Sequence, residues 1–146
     1  MIAGIDVGMT GAIGLLHENG AAYVYDMPVI NKEVNAAVLA DIFREFRPDH
    51  AYIESVNSFG MGKQSAFNFG AGFGAIKAVL ATLEIPYSLV SPAKWKKSFN
   101  LSRDKNESRA IATRLFPTLA FEFARKRDDG RAEAILIAKW GVMNNE

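Results

Sequence analysis

Three short apolar segments separated by glycine-bearing turns open the chain, before any residue recurs at helical spacing. Ile2 to Val7 reads as a buried strand, Gly8 to Gly11 as a turn, and Ala12 to Leu16 as a second strand. Asn19-Gly20 is a strong hairpin signal, because both residues accept the positive φ of a tight turn. Ala21 to Met27 then reads as a third strand, which completes an antiparallel meander. The period changes after that. Val34, Val38, Leu39, Ile42, Phe43 and Phe46 line one face of a helix over Asn35 to Phe46, which Pro48 stops. Ala51 to Glu54 is a short fourth strand, and Ser55 to Lys63 is a glycine-containing loop. A long helix follows over Gln64 to Leu83, and Tyr87 to Val90 is a fifth strand. Gly70, Gly72 and Gly74 cost that helix stability, so they imply close packing against the sheet or a partner. Ser91-Pro92 starts another helix, with Ser as N-cap and Pro in the first turn. Ser102 starts the next, over Lys105 to Phe116, and Pro117 ends it. Asp128 and Asp129 precede a last helix over Arg131 to Val142. The pattern predicts a mixed α/β sheet of five strands flanked by helices, in one domain over residues 1–146 without repeats or linkers.

Composition narrows the chemistry. At 49% apolar, the 146 residues can bury a core and are too hydrophobic for disorder. There is no cysteine and there are two histidines, His17 and His50, so thiolate and His-based metal sites are excluded. A metal would need oxygen ligands, which points to magnesium or manganese. No apolar run approaches the roughly 20 residues of a membrane helix, and the N-terminus lacks a signal-peptide pattern, so a soluble, cytoplasmic chain is expected.

Net charge is +1, but its distribution is uneven. Up to Glu54 the basic residues are Lys32, Arg44 and Arg47, against eight acids. From Pro92 onward the balance reverses, beginning with Lys94, Lys96 and Lys97. A basic half on a near-neutral chain suggests a surface for a polyanion, set against ordinary solvated helix faces.

Three segments carry acids at plausible site edges. Asp6 lies mid-strand among Ile2, Ile5 and Val7, where an unpaired charge is costly; it either caps the following turn or ligates a metal. Glu54 ends the fourth strand, as a solvent-facing terminus or a site residue. Asp129 and Glu133 share one helical face at i, i+4, either to complement the helix dipole or to join the same cluster. Clustered carboxylates repel one another unless cations lie between them, and two divalent ions can activate a water and stabilise the leaving oxygen in phosphodiester hydrolysis.

GIDVGMTGAIG, YIESV, SAFNFGAGFGAIKAVL, VSPAKWKKSFN and DDGRAEAILIAKW follow one another along essentially the whole chain. In order and spacing they resemble the RuvC-type Holliday junction resolvases of the ribonuclease H-like superfamily. The resemblance implies a ribonuclease H-like mixed five-stranded sheet and a homodimer that cuts four-way, branched DNA by paired symmetric nicks. It also implies two Mg²⁺ ions per site, with Mn²⁺ able to substitute, held by Asp6, Glu54, Asp129 and Glu133. In cellular members the fourth acid stands three residues before the Glu133 position, where this chain has Gly130. Asp129 is the substitute and Asp128 its rival, and the departure resembles a phage-type variant. Phe59 and Met61, beside Lys63, fit the loop that wedges into the crossover. Lys94, Lys96, Lys97, Arg103, Lys105 and Arg109 would grip phosphates. Trp95, between the lysines, either stacks on a nucleotide or anchors the core.

Other readings remain at this point. IDVGMTG also resembles the first phosphate motif of actin-like ATPases and sugar kinases, but no second glycine-rich phosphate turn follows. A single-domain relative that acts on RNA precursors shares the fold and similar acids. A non-catalytic nucleic-acid-binding module is the third, and the retained acids argue against it.

Overall fold

In a computed structural model, residues 1–102 and 104–145 are described; Arg103 lies outside them, and of Lys105 only the backbone is described. Five strands form one sheet: β1 (Ile2–Asp6), β2 (Ala12–Leu16), β3 (Ala22–Asp26), β6 (His50–Glu54) and β7 (Tyr87–Val90), in the order β3-β2-β1-β6-β7. β1–β2 and β2–β3 are antiparallel, whereas β1–β6 and β6–β7 are parallel. The helices are α1 (Ala36–Phe46), α2 (Lys63–Thr82), α3 (Pro92–Ser98), α4 (Lys105–Leu115) and α5 (Asp129–Asn144). Two 3-10 segments, Pro117–Phe123 and Lys126–Asp128, lead into α5.

Alternation along the strands divides the core in two. Ala3, Ile5, Ile13, Leu15, Ala51 and Ile53 face α1 and α2, and pack with Leu39, Phe43, Ile76 and Leu80. Ile2, Leu16 and Tyr52 face α3, α4 and α5, and pack with Trp95, Phe116, Ile135 and Trp140. Asp6 and Glu54 are in phase with Ile2 and Tyr52, so both carboxylates belong to the α5 face. The parallel pairing Ile5↔Ile53 puts them side by side at one end of the two central strands.

Several elements differ from the sequence expectation. Asp6 is the last residue of β1 and half-buried, not a residue at the strand's centre. The strand stops there because Gly8 turns the chain at φ 125°, and Gly11 N–H closes the turn on the Gly8 carbonyl at 3.0 Å. A small hairpin, β4 (Val29–Ile30) with β5 (Glu33–Val34), was not expected. Its turn residues Asn31 and Lys32 both have positive φ, 51° and 62°, and lysine is not a usual signal for that conformation. The N-cap of α4 is Asp104, whose side chain accepts from Asn106 N–H at 2.9 Å; Ser102 instead accepts from Asp104 N–H. The last helix begins at Asp129 and is buried on nearly every side, because it packs against the sheet and also against α3, α4 and the 3-10 segments.

The expected packing of the α2 glycines against the sheet is not found. A Cβ at Gly70 or Gly74 would meet nothing within 4 Å, and one at Gly72 would touch only Val34, at 3.4 Å. Close helix-to-sheet approach lies on the other face, where a Cβ at Gly4 would strike the Ala134 carbonyl and the Ala138 nitrogen. No helix among the described residues is long and apolar enough to cross a membrane.

Candidate metal centre and nucleic-acid interface

Asp6, Glu54 and Glu133 each bring a carboxylate oxygen within 4.8 Å of the others. They arrive from three elements: the end of β1, the end of β6 and the second turn of α5. The approach of α5 depends on glycines. A Cβ at Gly14 would lie 2.6 Å from Ile135 N, so a larger residue there would push the helix, and Glu133 with it, off the sheet. At an effective dielectric of about 20, each pair of unit charges near 5 Å repels by roughly 3 kcal/mol. Lys96 Nζ stands 3.9 Å from Glu133 Oε1 and partly offsets that repulsion. Three clustered oxygen donors without soft ligands suit a hard divalent cation.

Glu54 is buried and receives a short hydrogen bond. Trp95 Nε1 donates to its Oε2 at 2.6 Å. Trp95 is fully buried, so of its two sequence readings the core anchor is the one the structure bears out. The partner of its indole was not legible beforehand; a tryptophan in the first turns of a helix just after a site strand was the available signal.

The two neighbouring aspartates separate clearly. Asp128 is 2% exposed and takes the Arg125 guanidinium on both oxygens, at 2.8 and 3.2 Å. That pairing holds its carboxyl below the usual range. It leaves Asp128 as the brace that fixes the start of α5. Asp129 is half-buried and accepts from Gly130 N–H at 3.1 Å, and it lies outside the Asp6–Glu54–Glu133 trio. Gly130, where the resemblance calls for an acid, faces the site. A Cβ there would stand 3.2 Å from Asp6 Oδ2 but only 2.7 Å from the Thr10 carbonyl oxygen. The β1–β2 turn therefore occupies the space that a longer residue at 130 would need.

Among the basic residues, Lys94 and Lys97 are exposed on α3, and Lys94 Nζ lies over the Trp140 ring at 5.6 Å. Lys96 is half-buried and turns toward Glu133. Arg109 points inward: its guanidinium donates to the Phe123 and Ala124 carbonyls at 3.3 and 3.2 Å and to Asn106 at 2.6 Å. Arg131, from the same basic half, is also spent internally, on Asp26 at 2.8 and 3.0 Å and on Glu122 at 2.7 Å. The uneven charge of the sequence thus overstates the basic surface. In the loop after β6, Phe59 is 94% exposed, with Met61 and Lys63 exposed near it.

No protein-family model matches the sequence, and no curated protein matches it. Solved structures do. The RuvC of Thermus thermophilus in complex with Holliday junction substrate superposes at TM-score 0.69 and 18% identity, covering 99% of this chain and 96% of that one. A second structure of Thermus thermophilus RuvC gives 0.69 at 17% identity, covering 97% and 95%. The yeast mitochondrial Holliday junction resolvase Ydc2 gives 0.53 at 15% identity, covering 94% of this chain and 75% of that one. The chain therefore has the ribonuclease H-like fold of the RuvC resolvases.

Proposed function

We propose that this protein is a metal-dependent, structure-selective DNA endonuclease that resolves four-way junctions by paired nicks. The observation that carries the reading is the carboxylate trio at the ends of β1 and β6, facing α5, in a chain that has the fold of RuvC over nearly its whole length. Asp6, Glu54 and Glu133 would hold the divalent cations, Mg²⁺ or Mn²⁺, with Asp129 as the fourth ligand of a two-ion site. When bound, such ions make water a better nucleophile and stabilise charge on the leaving oxygen. The chain's own residues do the rest. The three acids fix where the phosphate must lie, and Lys96 balances their charge at Glu133. Water adds to phosphorus and the bond to O3′ breaks, leaving a 5′-phosphate and a 3′-hydroxyl.

Lys94 and Lys97 on α3 take neighbouring phosphates, together with Lys63, Arg103 and Lys105, and their contacts make binding weaken with salt. Phe59, held almost entirely in solvent, is the residue that inserts between bases at the crossover. Two symmetric nicks need two sites about a twofold axis, hence a homodimer. α2 offers the surface for it: no residue before Ile76 is buried, and Phe67 is 73% exposed. Beside that helix lies a cavity of about 490 Å³ lined by Met9, Val34, Met61 and Phe69.

The test is cleavage of a synthetic four-way junction with Mg²⁺ or Mn²⁺, beside linear duplex and an RNA–DNA hybrid. Paired nicks in the junction alone are expected, reduced about 10³-fold or more in Asp6→Asn and Glu133→Gln, since each acid serves several kcal/mol of charge stabilisation. Cleavage of the hybrid or of RNA with an intact junction would overturn the substrate assignment.

A further inference from the structure

The hydrogen bond from Trp95 to Glu54 spans 41 positions of sequence and joins α3 to the end of β6. Both groups are buried, so the bond is made out of water and its loss would leave a carboxylate oxygen without its donor. Indole N–H is a donor only and carries no charge. It can fix one oxygen of Glu54 without neutralising the carboxylate. A lysine in its place would compete with a metal for the same charge. The next residue behaves differently: Lys96 brings a cation to 3.9 Å from Glu133 and lies over the Trp95 ring at 5.5 Å. One short helix thus orients one site carboxylate neutrally and balances another electrostatically. α3 itself is fixed in register by Ser91, which accepts from Lys94 N–H at 3.2 Å, and by Pro92 in its first turn.

Resting on the metal-centre reading above, we propose that Trp95 is a positioning residue of that centre. Its indole N–H locks the rotation of the Glu54 carboxylate, so that the remaining lone pairs are held ready for a divalent cation. Hydrogen bonds of this kind to a metal ligand are commonly worth about 10- to 100-fold in metal affinity.

The experiment uses the full chain and Mn²⁺ alone, with bound ion measured from the loss of the free Mn²⁺ electron paramagnetic resonance signal. Trp95→Phe keeps an aromatic ring in the core and removes the donor. It is expected to bind Mn²⁺ about 10- to 100-fold more weakly than wild type. In EDTA it should keep the wild-type affinity for a four-way junction, because Lys94 and Lys97 stay in place. Unchanged Mn²⁺ affinity overturns the inference. So does a parallel loss of metal-free junction binding, which would mean that Trp95 only holds α3 together. A second measurement needs no change at Trp95. In ¹⁵N-indole spectra of the wild type, assigned with Trp140→Phe, Mg²⁺ should move the Trp95 N–H resonance and leave that of Trp140 in place. An unmoved Trp95 resonance in a protein that binds Mg²⁺ also overturns it. If Mn²⁺ binding depends on Trp95 but junctions stay uncut, the nuclease reading falls and this inference stands. If junctions are cut and Trp95→Phe binds Mn²⁺ normally, the reverse holds.

Discussion

On one face of the sheet, α5 lies so close to β1 and β2 that Gly4 and Gly14 leave no room for a methyl group. On the other face, α2 touches the core through Ile76, Val79 and Leu80, and its first three turns stand largely in solvent. The same residue type marks both faces and means opposite things. Glycines under α5 permit backbone contact, and that contact carries Glu133 to within reach of Asp6 and Glu54. Of the α2 glycines, Gly70 and Gly74 open onto nothing within 4 Å among the described residues, and Gly72 meets only Val34. The tightly packed face carries the carboxylate trio, and the other face leaves most of α2 exposed.

The largest effect expected from this contrast is at Gly4. Gly4→Ala forces a Cβ into the backbone of Ala134 and Ala138, which cannot yield as a flexible side chain would. Overpacking of this kind costs about 1–3 kcal/mol and more when backbone must move, so a loss of roughly 3 kcal/mol in urea unfolding is expected. A loss below about 0.5 kcal/mol, the scatter of an ordinary surface substitution, would show that α5 has slack, and the account of the rigid face would fail.

A smaller effect is expected where that face is clamped at its edge. Asp128 is buried under Arg125, whose side chain is 49% exposed, and Arg131 ties α5 to Asp26 at the end of β3. The arginines hold both aspartate carboxyls below their usual range, chiefly through hydrogen bonds. A depressed folded-state value means that the unfolded chain binds protons first. The stabilisation is therefore complete above the unfolded value near pH 4 and is lost as pH falls through the folded values. Asp128→Asn should cost about 2 kcal/mol at pH 7, less than a fully buried pair because Arg125 is half in solvent. The difference from wild type should shrink on acidification below about pH 4. A difference that stays constant down to pH 2 would mean that Asp128 acts through packing and not through charge.

What the sequence made legible divides along the same line. The five strands of the main sheet, and Glu54 at the end of one of them, follow from short apolar runs and local turns, which any window of the chain contains; that β1 stops at Asp6 does not, because the apolar run continues through Val7. Ser91-Pro92 and Pro48 marked helix boundaries for equally local reasons. The trio, however, depends on how far α5 descends onto the sheet. That distance is set by Gly4 and Gly14, some 120 residues away in sequence. Asp128 and Asp129 could not be told apart either, because only the position of Arg125 shows which one is committed. The Asn31-Lys32 turn is not legible because Lys32 adopts a positive φ with no composition that announces it. The basic half misled for a related reason: Arg109 and Arg131 look like surface cations until the carbonyls and carboxylates that they serve are located.

The smallest effect separates the two faces most sharply. Gly74→Ala adds a methyl group in open space on α2, and alanine is favoured over glycine in a helix by about 0.8–1 kcal/mol. The substitution that damages the α5 face should therefore stabilise this one, raising Tm by roughly 3 °C in dilute, monomeric protein. If α2 is the homodimer surface, the same methyl group sits between two copies. Sedimentation equilibrium should then show weaker self-association in Gly74→Ala than in wild type, and the gain in Tm should fade as concentration rises. Stabilisation that persists at every concentration, with association unchanged, would remove α2 from the interface and leave the exposed Phe67 to another contact.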